Sequence, residues 1–135
     1  TFLHPFDGLN TILGTAGVGY ELMQDAGELD AVVVSVGGGG LISGVAEAVK
    51  LTNPDVMVYG VEPIGADSMS RSLAAGAPVT LPGTDTIADS LAPPMALPAN
   101  VRIGPGLTAL TRMPSGPSSF AIARVNVITA LLDAA

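Results

Sequence analysis

The chain has 135 residues, 48% of them apolar, and carries 12 acidic residues against five Lys and Arg, which gives a net charge of −7. This composition predicts a folded domain with a sizeable core. The acidic balance argues against nucleic acid or an anionic membrane as a partner. Because there is no Cys, disulfides, thiolate nucleophiles and Cys-based metal sites are excluded.

Targeting signals are not visible in the sequence. No basic segment followed by an apolar run opens the chain, and its longest uncharged run is too short to span a membrane. We therefore expect a cytoplasmic, soluble protein. The chain opens without Met in an extended pattern, which is typical of a piece cut from a longer protein.

The first helix is predicted from residues 9 to 26. Residues 1 to 7 precede it as a short extended piece that turns at Pro5. The apolar spacing from Leu9 onward is compatible with a helix, and Gly27 reads as its C-terminal stop. Three glycines loosen this helix, at positions 14, 17 and 19.

The central feature is a β-branched run, AVVVSV, followed by the four glycines Gly37 to Gly40, which we call the glycine loop. The run suits a fully buried strand, and the glycines must end it. A helix is predicted from Leu41 to about Thr52, with Leu41, Val45, Ala48 and Val49 on one apolar stripe.

A second apolar strand is predicted from Val56 to Glu62, which makes a βαβ unit with parallel pairing. The fold class is α/β, a three-layer parallel sheet with βαβ crossovers. Residues 1–97 belong to this domain, and residues 98–135 form an atypical segment, rich in Pro and Gly and then apolar. The remaining expected elements are a helix over 66–75, a short edge strand over 78–82 and a turn or short helix over 86–91.

The glycine loop precedes the first turn of a helix, where unpaired N–H groups and the positive end of the dipole favour an anion. A plain tight turn is the alternative, but four glycines exceed what a turn needs. Walker A is excluded because Val45 and Ala46 follow Gly44. A dinucleotide fingerprint is incomplete, since Ser43 stands where its third glycine belongs. A nicotinamide-dependent oxidoreductase with Glu62 on a ribose is therefore the second reading.

These residues resemble the threonine and serine dehydratase family, pyridoxal-phosphate enzymes of the tryptophan-synthase-β fold type that also includes serine racemase. The glycine loop with its flanks is the specific part of the match, which covers about the first two thirds of the chain. The matching pieces are His4-Pro5-Phe6-Asp7, Asp30 to Val34, Val36 to Gly44, Asn53-Pro54-Asp55, Gly60 to Pro63, Gly65 to Ser68 and Thr86 to Asp89.

The resemblance implies that backbone N–H groups of the loop bind the phosphate of pyridoxal 5′-phosphate. The residues that match are Gly37, Gly38, Gly39, Gly40 and Leu41. It further implies a homo-oligomeric parent that deaminates a small amino acid, L-threonine or L-serine, to a 2-oxo acid and ammonia. Serine racemases share the cofactor, so elimination and racemisation both stay open.

The resemblance also implies a divalent cation site in some members, held by a Glu, a backbone carbonyl and a second acid. Glu62 and the carbonyl of Ala66 match, but Ser68 stands at the position of the second acid. A hard cation prefers several anionic oxygens. Two further departures are Gly14-Thr15-Ala16-Gly17, where the family usually reads G-Q-G-T, and the stretch Ala99 to Ser119, for which a frameshifted C-terminus is one hypothesis.

The chemistry of this family needs a lysine that holds the cofactor covalently. Lys50 is the only lysine of the chain, and it falls at the far end of the predicted helix from the glycine loop. We therefore expect these residues alone to lack lyase activity. A degenerate domain that only binds a phosphate-bearing ligand is the non-enzymatic alternative. His4 is expected to make a structural hydrogen bond, and Asp67, Asp85 and Asp89 to serve as caps or turn residues.

Overall fold

In this computed structural model, residues 3–96 and 125–130 are described, the latter for their backbone only. The order of elements confirms the predicted α/β class. For the first two helices and the first two strands, each end lies within two residues of its predicted position. Short 3-10 turns lie at Ile64–Ala66 and Asp89–Leu91. The elements are α1 (Leu9–Asp25), β1 (Ala31–Ser35), α2 (Gly40–Thr52), β2 (Met57–Pro63), α3 (Ser68–Ala75) and β3 (Val125–Ala130).

The sheet has the order β1-β2-β3. β1 and β2 pair in parallel, with Ala31 opposite Met57 and Ser35 opposite Val61, so the predicted βαβ unit is confirmed. β3 pairs antiparallel to β2, with Val58 opposite Ala130. The rest of the predicted segment 98–135 lies outside the described residues. Because the parallel strands end at the same edge, the glycine loop and the end of β2 are neighbours there.

The core lies between the sheet and α2, which is buried over most of its circumference. β-branched side chains from both strands meet apolar side chains of the helix, and Met69 of α3 closes one end of the cluster. The buried members of this cluster are Val32, Val34, Val36, Ile42, Val45, Ala46, Val49, Val56, Val58, Met69 and Ala96.

Two details of the predicted core are wrong. β1 is not buried on both faces: its burial alternates, and Val33 is 65% exposed. The described helices cover one face of this strand only, so the β-branched run reports strand propensity as well as burial. In α2, Val45, Ala48 and Val49 are buried as predicted, but Leu41 is 39% exposed.

The predicted edge strand over residues 78–82 is also wrong. Thr80 forms a single antiparallel bridge with Met95, and Leu81 N–H donates to the Pro94 carbonyl at 2.8 Å. Prolines at both ends of the stretch remove backbone donors, so a longer ladder does not form. The contact between residues 80–81 and residues 94–95 is therefore limited to this bridge and its neighbouring hydrogen bond.

Helices α1 and α2 pack closely because two glycines face each other's helix. A Cβ on Gly19 would lie 2.6 Å from the Val45 carbonyl oxygen. A Cβ on Gly44 would meet the Thr15 hydroxyl and the Ile12 carbonyl. Gly14, in contrast, has open space around it. The glycines of α1 are therefore not equivalent, since Gly19 permits the helix contact.

Of the helices within the described ranges, none is long and apolar enough to cross a membrane.

Replacing Gly19 and Gly14 with alanine provides a matched test of the helix contact. We expect Gly19→Ala to lower the free energy of unfolding by about 1 to 3 kcal/mol, because the new methyl group meets the Val45 carbonyl. Gly14→Ala should raise it by about 0.5 to 1 kcal/mol through helix propensity. Urea unfolding of both variants measures the difference, and equal effects would contradict the close approach.

Candidate functional site

The glycine loop joins the end of β1 to the first turn of α2. Gly39 is the N-cap and adopts a left-handed conformation, with φ of 104°. A residue with a side chain would be strained there. Gly38, Gly39 and Gly40 are buried, and Gly37 is partly buried. The loop is thus an interior feature of the protein.

Packing accounts for the other three glycines. A Cβ on Gly38 would fall within the ring of Phe6, and one on Gly40 would lie 2.7 Å from the Phe6 Cα. A Cβ on Gly37 would lie 3.3 Å from atoms of Ser90, Leu91 and Pro93. The presence of four glycines is therefore not by itself evidence for a bound anion, because the local geometry or packing at each position already requires a glycine.

The stronger evidence is the state of the amides. The first hydrogen bond of α2 runs from Ser43 N–H to the Gly39 carbonyl at 3.1 Å. The N–H groups of Gly40, Leu41 and Ile42 thus have no acceptor inside the helix. Within the described ranges, no hydrogen bond is donated by the N–H groups of the glycine loop either. Buried amides are almost always paired in proteins, so this arrangement fits an anionic ligand.

Two segments wall the loop that sequence reasoning did not assign to the site. Phe6 packs on Gly38 and Gly40, and the ring of His4 meets that of Phe6 edge to face at a centroid distance of 4.6 Å. On the other side, the stretch from Asp85 to Pro93 approaches the sheet edge, where Asp85 N–H donates to the Gly65 carbonyl at 2.8 Å. The His-Pro-Phe-Asp and Thr-Ile-Ala-Asp motifs were the available signals.

Glu62, at the end of β2, caps helix α3 from within the core. It is 1% exposed. Its two carboxylate oxygens accept hydrogen bonds from the backbone N–H groups of Ser70, at 2.8 Å, and Met69, at 3.0 Å. Burial raises the pKa of Glu62 above its usual value, opposed by these hydrogen bonds and reinforced by the charge of Asp67. Asp67 occupies the N-cap position of α3, in agreement with its expected role as a cap or turn residue, but its side chain makes no capping hydrogen bond and pairs with Arg71 at 2.8 Å.

This placement disfavours the dinucleotide reading. A ribose would need an accessible Glu62, but both of its oxygens are engaged by backbone amides inside the protein. The two helix N-termini at this edge therefore differ. At α3 the amides of Met69 and Ser70 meet an internal carboxylate, whereas the first amides of α2 have no acceptor among the described residues.

The same residues do not fit a divalent cation. Glu62 is the single buried carboxylate of the proposed set, Ser68 supplies a neutral hydroxyl, and Asp67 is turned to Arg71. Among the described residues, no three His, Cys, Asp or Glu side chains are grouped as metal ligands. The Ser68 Oγ is buried and has no hydrogen-bond partner in this part of the chain. Magnesium and calcium prefer more anionic oxygens than this set supplies.

The raised pKa of Glu62 predicts a pH-dependent contribution to stability. Because the folded-state pKa exceeds the unfolded one, this contribution is complete below the unfolded pKa and is lost as pH rises through the folded pKa. As pH rises, the free energy of unfolding of the wild type should fall relative to that of Glu62→Gln. The expected fall is about 1.4 kcal/mol for each pH unit that separates the unfolded and folded pKa values of Glu62. Urea unfolding at several pH values measures this, and a constant difference would contradict it.

Introducing a second carboxylate beside Glu62 should make the melting temperature depend on a divalent cation. Wild type is expected to unfold at the same temperature in magnesium, calcium or a chelator. Ser68→Asp should be less stable in chelator, because it adds a second buried charge beside Glu62, and should be stabilised by either cation. Ala74→Asp adds the same charge at an exposed position and serves as the control. Cation-dependent melting of wild type would contradict the assignment.

The family described as "Pyridoxal-phosphate dependent enzyme" matches residues 1–104. A phenylserine dehydratase from Ralstonia pickettii is 55% identical over 93 residues, 69% of this chain and 28% of that protein. An L-threonine ammonia-lyase from Thermotoga maritima is 45% identical over 91 residues, 67% of this chain and 23% of that protein.

Solved structures agree with these relatives. Maize serine racemase superimposes with a TM-score of 0.67 at 43% identity, covering 72% of this chain and 30% of that one. Threonine deaminase isoform 2 from Solanum lycopersicum gives a TM-score of 0.68 at 41% identity, covering 71% and 28%. The chain therefore spans less than a third of the length of these relatives. The family match, the fold and the glycine loop lead to one conclusion: this chain belongs to the pyridoxal-phosphate-dependent enzymes of fold type II, in their threonine and serine dehydratase-like branch.

Proposed function

We propose that the glycine loop binds the phosphate of pyridoxal 5′-phosphate through the backbone N–H groups of Gly37 to Leu41. The observation that carries this is the first turn of α2, whose amides have no acceptor in the described part of the chain although Gly38 to Gly40 are buried. A phosphate presents several acceptor oxygens and a negative charge, which match both the unpaired donors and the helix dipole.

The proposed reaction is deamination of L-threonine or L-serine to a 2-oxo acid and ammonia. The names of the relatives support this class, since phenylserine, threonine and serine all carry a hydroxyl on the β-carbon. The bound cofactor would supply an electron sink for the α-carbon of the amino acid. The contribution of the described residues is to bind and orient the cofactor through the backbone amides of the glycine loop.

Lys50 is not suited to hold the cofactor. It lies ten residues beyond Gly40, about 15 Å along the helix at 1.5 Å per residue. Its Nζ donates to the Pro54 carbonyl at 2.8 Å at an exposed position. We therefore propose that the covalent lysine is supplied from outside these 135 residues, and that the residues alone have no ammonia-lyase activity.

Binding of the cofactor with and without its phosphate tests this proposal. The purified chain should bind pyridoxal 5′-phosphate more tightly than pyridoxal, as measured by equilibrium dialysis. Gly39→Ala should lose this preference by about tenfold, because a side chain is strained at φ of 104° and the loop amides must turn. Gly14→Ala has open space and is the matched control.

Two outcomes would contradict the proposal. The first is equal binding of the two ligands by the wild-type chain. The second is loss of pyridoxal 5′-phosphate affinity in Lys50→Arg, which should instead bind as wild type does. A chain that prefers the phosphate ligand but stays inactive toward L-threonine when the lysine-bearing part of the enzyme is supplied would favour the degenerate binding domain.

A further inference from the structure

Two side-chain hydroxyl groups contact carbonyl oxygens of the first turn of α2. The Thr15 hydroxyl of α1 lies 3.0 Å from the Gly40 carbonyl oxygen. The Ser43 hydroxyl lies 2.8 Å from the Gly39 carbonyl oxygen and is buried. Both groups therefore donate to carbonyls of the glycine loop itself, on consecutive peptide units.

The peptide geometry gives these contacts a further effect. In a trans peptide, the C=O group of one residue and the N–H group of the next point in opposite directions, and the described chain has no cis peptide. Fixing the Gly39 carbonyl therefore sets the direction of the Gly40 N–H. Fixing the Gly40 carbonyl does the same for the N–H of Leu41.

Space for the Thr15 contact comes from Gly44, one turn beyond Gly40 on the same side of α2. A side chain on Gly44 would meet the Thr15 hydroxyl directly. The hydroxyl also lies 3.0 Å from the Ile12 carbonyl and 3.1 Å from the Thr11 carbonyl of its own helix, so its proton is shared. The contact to Gly40 is the one that links α1 to the glycine loop.

We propose that Thr15 and Ser43 are positioning residues of the phosphate site: their hydroxyls hold the carbonyls of Gly40 and Gly39 and thereby direct the N–H groups of Leu41 and Gly40 toward the ligand. This inference rests on the proposed function.

Removal of each hydroxyl tests the proposal in the full 135-residue chain. We expect Thr15→Val and Ser43→Ala each to weaken binding of pyridoxal 5′-phosphate between about two- and tenfold, the range of a single lost hydrogen bond. Binding of pyridoxal should not change, because it has no phosphate. Thr15→Ser keeps the hydroxyl and should bind within twofold of wild type.

Thr52→Val is the control, because Thr52 makes the same kind of contact, 2.8 Å from the Ala48 carbonyl, at the opposite end of α2. Two outcomes overturn this inference alone, provided that the wild type prefers pyridoxal 5′-phosphate over pyridoxal. In the first, Thr15→Val and Ser43→Ala bind both ligands as Thr52→Val does. In the second, these two variants lose affinity for both ligands equally. If the wild type binds pyridoxal 5′-phosphate and pyridoxal equally well, the proposed function is overturned together with this inference. If Thr15→Val does not fold, Ser43→Ala carries the same comparison.

Discussion

The burial of the α2 first turn is the constraint on which the site depends. A helix N-terminus that faces water satisfies its free amides by hydration, but Gly38, Gly39 and Gly40 are buried. Their amides, together with that of Ile42, have no acceptor among the described residues. Phe6 on one side and the stretch from Ser90 to Pro93 on the other exclude solvent from the loop. These unpaired donors in a buried first turn are what support the proposed phosphate binding.

Helix α3 shows the other solution to the same physical problem. Its first amides meet the carboxylate of Glu62, which comes from the end of β2 and is held inside the core. The energetic cost of burying this charge appears as the raised pKa of Glu62. Two helices thus begin at one sheet edge, one capped by an anion built into the chain and one whose first amides have no acceptor among the described residues. This contrast also explains why Glu62 is unavailable for a ribose.

Close helix packing supports the open site. Gly19 and Gly44 let α1 approach α2, and the approach brings the Thr15 hydroxyl to the Gly40 carbonyl. The two glycines lie outside the glycine loop and touch no ligand position. Their effect on the site is indirect, since they place the element that orients its amides.

Local sequence signals were sufficient for the first two helices and strands and for the location of the glycine loop. The β-branched run, the glycines and the apolar stripe of α2 predicted a strand, a turn and a helix within one or two residues, because these signals act through the preferences of neighbouring residues. Burial and pairing depend on contacts between distant residues. The exposed Val33, the single bridge at Thr80, the capping of α3 by the side chain of Glu62 rather than that of Asp67, and the packing of Phe6 on Gly38 all arise from such contacts, and no local pattern encodes which residue will arrive there.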